Sequence, residues 1–129
     1  MNDFKTAFTN IYDKELWGKN LGSGTGSTLK NNTQYLAFLQ NYLWKNNIKN
    51  VIDFGCGDWQ FSQYIDWTNI NYTGIDVVES IIANNKKKFP QHEFICDDSP
   101  FKYLKNKELI IVKDVLMHWT NEVIIRFLD

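Results

Sequence analysis

The residues best suited to chemistry sit in one short run, Asp53-Phe54-Gly55-Cys56-Gly57-Asp58, which closes an apolar stretch opening at Val51. Two glycines one residue apart let the backbone turn tightly after a strand. They also leave main-chain atoms open to a ligand that side chains would otherwise cover. A glycine pair alone marks only a turn. What gives it direction is Asp76, 19 residues beyond Gly57, at the end of the next apolar run, Tyr72-Thr73-Gly74-Ile75-Asp76. A carboxylate there can accept hydrogen bonds from both hydroxyls of a ribose. The pattern therefore predicts a nucleoside-binding turn rather than a plain strand-to-helix connection, which needs no distant acid.

The kind of nucleoside follows from charge. Dinucleotide sites usually carry a third glycine so that a helix start can face a pyrophosphate, and that position here is Gln60. An acid at Asp53 would repel a pyrophosphate. S-adenosylmethionine instead brings an amino group and a sulfonium to such a turn, and no phosphate, so Asp53 and Asp58 suit it. The upstream run Gly22-Ser23-Gly24-Thr25-Gly26-Ser27 lacks the Gly-Lys-Ser/Thr ending of a phosphate-binding loop. A mobile lid or a passive linker are the readings left for it.

With these residues in view, the chain resembles the class I S-adenosylmethionine-dependent methyltransferases. Asp53 to Asp58 is similar to their first motif, and Thr73-Gly-Ile-Asp76 to the ribose-binding end of their second strand. Phe94-Ile-Cys-Asp97-Asp98 resembles the segment whose acid and following amide contact the adenine. Leu109-Ile-Ile-Val-Lys-Asp114-Val-Leu-Met-His118 resembles the strand beside the methyl group and the acceptor. Trp17-Gly18 before the glycine–serine loop is similar to a subgroup with a lid ahead of the core. The resemblance implies cofactor contacts from Asp53, Gly55, Cys56, Gly57, Asp76, Val77, Asp97, Asp98 and Lys113, with Asp114 and His118 on the acceptor side. It covers residues 50 to 129 and supplies four of the family's seven strands. Cofactor binding is thus better founded than catalysis, and a truncated, non-catalytic S-adenosylmethionine-binding module is the rival reading. A nucleotide-dependent enzyme with an unusual glycine turn is a third.

Several of these side chains have plainer alternatives. Asp97 either contacts adenine or caps the loop before Pro100. His118 either takes a proton from an acceptor hydroxyl or amine or is a surface histidine at a helix start. Asp114 either orients the acceptor or caps a loop. Trp59 is expected to pack beside the turn as part of the fold.

The elements that must position these residues alternate. Val51–Phe54, Tyr72–Asp76, Glu93–Cys96 and Leu109–Val112 read as strands; 60–65, 78–88 and a stretch from Thr120 read as helices. Strands alternating with helices imply an α/β fold of parallel β-α-β units; the resemblance to the methyltransferases implies that these form a Rossmann-like doubly wound sheet in the order 3-2-1-4. Phe4, Ala7, Phe8 and Ile11 give an N-terminal helix one apolar face. A second helix, capped by Thr28 or Thr33, runs to about Lys45 with Tyr35, Leu36, Leu39, Tyr42 and Leu43 on its face. The whole is expected to be one domain, with residues 1–49 as helices and lid and 50–129 as core.

Composition sets the remaining bounds. The 129 residues are 43% hydrophobic and 22% charged with net charge −1, ordinary globular values that do not call for a nucleic acid or an anionic membrane. A small-molecule acceptor is favoured. Lys86-Lys87-Lys88 reads as a solvated helix end, where cations suit the dipole. Cys56 and Cys96 are too few for a metal site or a disulfide framework and read as buried free thiols in a reducing, cytoplasmic setting. No apolar run approaches the ~20 residues that span a bilayer. An unpaired outer edge on the fourth strand invites association, so a homodimer along that edge is expected.

Overall fold

A computed structural model describes residues 2–16, 22–24 and 28–129. Two helices, α1 (Asn2–Asp13) and α2 (Leu29–Lys45), precede β1 (Asn50–Phe54), β2 (Asn71–Asp76), α3 (Glu79–Lys88), β3 (Glu93–Cys96), β4 (Leu109–Ile111) and α4 (Asn121–Leu128). The four strands form one parallel sheet in the order β3-β2-β1-β4. The parallel sheet is the one expected from the alternation of strands and helices, and its order is the one the family resemblance implies.

The central strand shows why the sheet is built around residues 50–54. Val51 and Ile52 are both fully buried, on opposite faces of β1, as a strand covered on both sides requires. One face gathers Val51 with Leu39 and Leu43 of α2, Ile82 of α3, and Trp59, Trp67, Tyr72 and Phe94. The other gathers Ile52, Phe54 and Ile75, with Phe127 of α4 meeting Phe54 edge-on at 5.7 Å. Asp53 stands opposite Gly74 on β2 and Ile111 on β4. A side chain at Gly74 would press on the Phe94 ring and the Cys56 sulfur, with its Cβ at 2.9 and 3.0 Å.

The helix ends follow the local signals closely. Thr28, not Thr33, holds the extended N-cap position of α2, and Asn47 leaves that helix in the left-handed region at φ 52°. Val78 takes the cap position of α3, and Lys86, Lys87 and Lys88 fill its last turn. Thr120 caps α4 by accepting from the Val123 amide.

Four local expectations change. The helix expected over 60–65 is only a single 3₁₀ turn, Ser62–Tyr64. Trp59 enters it at φ 63°, and the Trp67 indole donates to the Ser62 carbonyl at 2.8 Å, so the chain there is tied by side chains rather than by a helical ladder. Strand β4 ends at Ile111, one residue short of Val112. Cys96 is exposed at the end of edge strand β3, and Cys56 is only partly buried, packed against the core. On α2, Tyr42 is 39% exposed rather than buried. It lines a shallow apolar groove with Phe38, Leu109 and Ile110 along the outer side of β4.

Candidate functional site

At the carboxyl end of β1 the chain turns through Gly55 and Gly57, both left-handed, at φ 73° and 58°. The turn is fixed from three sides. The amides of Gly55 and Cys56 donate to the Ile75 carbonyl at 2.8 and 3.1 Å. The Gly57 amide donates to Asp76 Oδ2 at 3.0 Å. From α3, the fully buried Asn85 donates its amide to the Gly57 carbonyl at 2.7 Å. Side chains are excluded as well: a Cβ on Gly55 would lie 2.4 Å from Val115, and one on Gly57 would lie 2.5 Å from Ser23 Oγ.

Asp76 is held by its own strand end. Its Oδ1 accepts from the Val78 amide at 3.1 Å while Oδ2 takes Gly57. Burial raises its carboxyl above the ordinary value, against the pull of the bonds from Val78 and Gly57. Asp53 is 6% exposed and accepts the Tyr72 hydroxyl at 2.7 Å. Burial pushes its carboxyl up to about 7; the Tyr72 bond and Lys113 lower it, while Asp76 raises it further.

A cavity of about 500 Å³ opens beside the turn, within the range of small-molecule sites. Every residue singled out above lines it: Asp53, Gly55, Cys56, Gly57, Asp76, Val77, Asp97, Asp98, Lys113, Asp114 and His118. Their individual settings differ. Asp97 is engaged by its own loop, accepting from the Ser99 amide at 2.8 Å, the Tyr103 hydroxyl at 2.6 Å and Lys102 at 3.2 Å. The Tyr103 bond is the main cause that holds its carboxyl below the usual range. Asp98 beside it has no hydrogen-bonding partner among the described residues. Lys113 pairs with Asp114 and lies 5.4 and 5.6 Å over the rings of Phe61 and Tyr35. Asp114 is exposed, at φ 57°. His118 is exposed and packs edge-on against Phe8 at 5.2 Å.

Asp58 lines the same cavity and is also bonded to neighbouring side chains and backbone. Its Oδ1 accepts from Ser23 Oγ at 2.9 Å, and its Oδ2 from the Ser23 amide at 3.3 Å and Gln60 at 2.8 Å. Ser23 Oγ in turn accepts the Asp58 amide at 3.2 Å, so the Tyr12 hydroxyl, 2.5 Å away, is its second donor. Burial first, and then Asp76, keep Tyr12 a protonated phenol far above its usual range. Gly22 to Gly24 therefore dock on the glycine turn. Residues 17–21 and 25–27, which include Trp17-Gly18 and the rest of the expected lid, lie outside the described residues.

Tyr12, Ser23, Phe8, Tyr35 and Asn85 are site residues that sequence reasoning missed. Phe8 and Tyr12 sit one helical turn apart on α1, a spacing that extends the apolar face already noted. For Asn85 the only signal is an amide in the middle of a short helix, a poor helix former.

No family model matches the chain, and no curated protein matches it in sequence. Solved structures do. Magnesium protoporphyrin IX methyltransferase (ChlM) of Synechocystis PCC 6803, with bound S-adenosylmethionine, superposes over 92% of this chain and 65% of its own at 18% identity, TM-score 0.63. The fold is that of S-adenosylmethionine-dependent methyltransferases. The methyltransferase domain of bacterial CtHen1-C matches 74% of this chain and 56% of its own at 23% identity, TM-score 0.58. Plantazolicin methyltransferase BpumL, in complex with S-adenosylhomocysteine, matches 83% and 45% at 24% identity, TM-score 0.56. This chain thus spans roughly half to two thirds of the length of these methyltransferase structures.

Proposed function

We propose that the cavity binds S-adenosylmethionine and that the chain serves methyl transfer to a small-molecule acceptor. The observation that carries this is the charge of the cavity wall. Among the described residues six aspartates, Asp53, Asp58, Asp76, Asp97, Asp98 and Asp114, line it against a single lysine, Lys113. Such a wall disfavours a pyrophosphate and favours a cationic nucleoside. The residues fit that ligand. The glycine turn leaves backbone exposed at the end of β1. Asp76, fixed by two amides, keeps acceptor capacity for ribose hydroxyls, and Val77 adjoins it. Asp98 offers a free carboxylate for the adenine amine. Asp97, bound to its own loop, contributes by shaping that segment.

When bound, the sulfonium supplies an already activated methyl group, so the protein's task is alignment and proton handling. In this reading Phe8, Tyr35, Phe61 and Trp119 offer an apolar wall to the acceptor. His118 accepts the proton of its hydroxyl or amine, and Asp114, paired with Lys113, orients it. Among the described residues no helix is long and apolar enough to cross a membrane. A cytoplasmic setting, drawn from the two free cysteines, belongs to the same proposal. So does a second copy along the outer edge of β4, where Ile110 is 40% exposed; sedimentation at low micromolar concentration tests it.

Calorimetry with S-adenosylmethionine and NAD tests the cofactor: only the first should bind. Transfer of a radiolabelled methyl group to small-molecule acceptors then separates an enzyme from a non-catalytic binding module, which would bind the cofactor and release no methylated product.

A further inference from the structure

Three buried side chains behind the glycine turn are joined in line. The Trp59 indole donates to the Tyr72 hydroxyl at 2.8 Å, and that hydroxyl donates to Asp53 Oδ2 at 2.7 Å. The three are 2, 3 and 6% exposed. The direction of the chain is fixed by chemistry. An indole N–H can only donate, so Tyr72 accepts from Trp59 and has one proton left to give. That proton points at Asp53. A protonated Asp53 could accept that proton on one oxygen, but an ionised carboxylate accepts it more strongly. The arrangement thus favours a carboxylate at Asp53, in a place whose burial opposes one.

We propose that Trp59 and Tyr72 are positioning residues that hold Asp53 ready as the anion which reads the positive charge of the cofactor. The inference rests on the cofactor reading above and adds a means by which the site tells a cation from a neutral nucleoside. Asp53 lines the cavity, and a cation arriving there stabilises the ionised form that Tyr72 already supports.

Groups facing Asp53 from the neighbouring elements set the background. From β2 come Tyr72 and Asp76, from the turn Cys56, from α2 Tyr35, and from the segment after β4 Lys113. At the far end of the line His92 packs 4.9 Å from the Trp59 ring, and burial lowers its pKa. Tyr72 stays protonated throughout the neutral range because burial raises it well above its usual value. Asp53 sits near neutrality, at about 7. Below that pH each binding event must expel a proton, and affinity for a cationic ligand falls by up to about tenfold per pH unit.

The test is the affinity of S-adenosylmethionine for the wild-type chain and for Tyr72→Phe between pH 5.5 and 9.5. The phenylalanine keeps the ring and removes the proton given to Asp53, raising the carboxyl by about one to two pH units. The ratio of the two dissociation constants cancels any titration of the ligand itself. It should be about 10 to 100 below pH 7 and approach one near pH 9.5. A ratio that does not change with pH would mean that Tyr72 is merely structural and would overturn the proposal. A second measurement needs no variant: wild-type binding at pH 6.5, in buffers of different ionisation enthalpy, should release most of one proton. Release of none would overturn it equally. S-adenosylhomocysteine keeps the ammonium and lacks the sulfonium. If its binding follows the same pH course the ammonium is the charge read, and if its binding is flat the sulfonium is; either supports the role of Asp53. Failure of both ligands to bind at every pH would instead overturn the cofactor reading.

Discussion

Replacing Asp53 by asparagine should make the ligand-free protein more stable, and more so the higher the pH. The folded carboxyl sits at about 7 against 3.8 for an ordinary aspartate. Its folded pKa is raised, so between those values the folded chain holds a proton that the unfolded chain has released. Stability therefore falls as pH rises through this window and levels off above 7. At 1.36 kcal/mol per pH unit the ceiling on this loss is about 4 kcal/mol. Asparagine keeps an oxygen for the Tyr72 hydroxyl and carries no charge to bury. Between pH 5 and pH 8 the advantage of Asp53→Asn over wild type should grow by up to about 3 kcal/mol. Urea unfolding of both proteins at the two pH values measures it. Contributions from other titrating groups, such as Asp97 with its lowered pKa, are common to both chains and largely cancel. A gap that is equal at both pH values, or that shrinks at pH 8, would refute the reasoning. The same variant should bind S-adenosylmethionine more weakly, a stability–function trade-off of the usual kind.

Three further outcomes are expected. Asp76→Ala should weaken S-adenosylmethionine and S-adenosylhomocysteine alike by roughly ten- to hundredfold in calorimetry, the loss of a charge-assisted bond of about 1.5–3 kcal/mol; unchanged affinity in a folded variant would remove the ribose assignment. Gly57→Ala should lower the melting temperature, because an alanine at φ 58° costs about 1–2 kcal/mol and its Cβ meets Ser23 Oγ at 2.5 Å; an unchanged melt would show that the Ser23 contact yields freely. His118→Ala should slow methyl transfer about 10²- to 10⁴-fold with cofactor affinity preserved; loss of binding would make the histidine structural, and full activity a bystander.

The parts of this site that were legible in the sequence are those set by consecutive residues. A strand ending in Gly55-Cys56-Gly57 must turn, and a carboxylate at the end of the next strand must come near it, because parallel neighbours in register bring their carboxyl ends together. The parts that were not legible depend on contacts between distant segments. Nothing local to Ser23 says that its hydroxyl accepts from a backbone amide 35 residues away. Nor does anything local to Gln60 say that a left-handed Trp59 and a donated indole hydrogen will stop the next turn from becoming a helix.

The aspartates make the point most sharply. Residue type and position brought them into one cavity, but their tasks come from their surroundings. Asp58 is consumed by Ser23 and Gln60, Asp97 by Tyr103, Lys102 and Ser99, and Asp76 is anchored by two amides with capacity to spare. Asp53 alone is buried behind a donating phenol. Tyr72 and Trp59 read in the sequence as core aromatics, and they are core aromatics; each also carries one polar atom that must find a partner once buried. The fold places those two atoms in line with Asp53. A packing requirement of the core thereby becomes an electrostatic setting for the cavity, and the pH dependence of binding is where the two can be told apart.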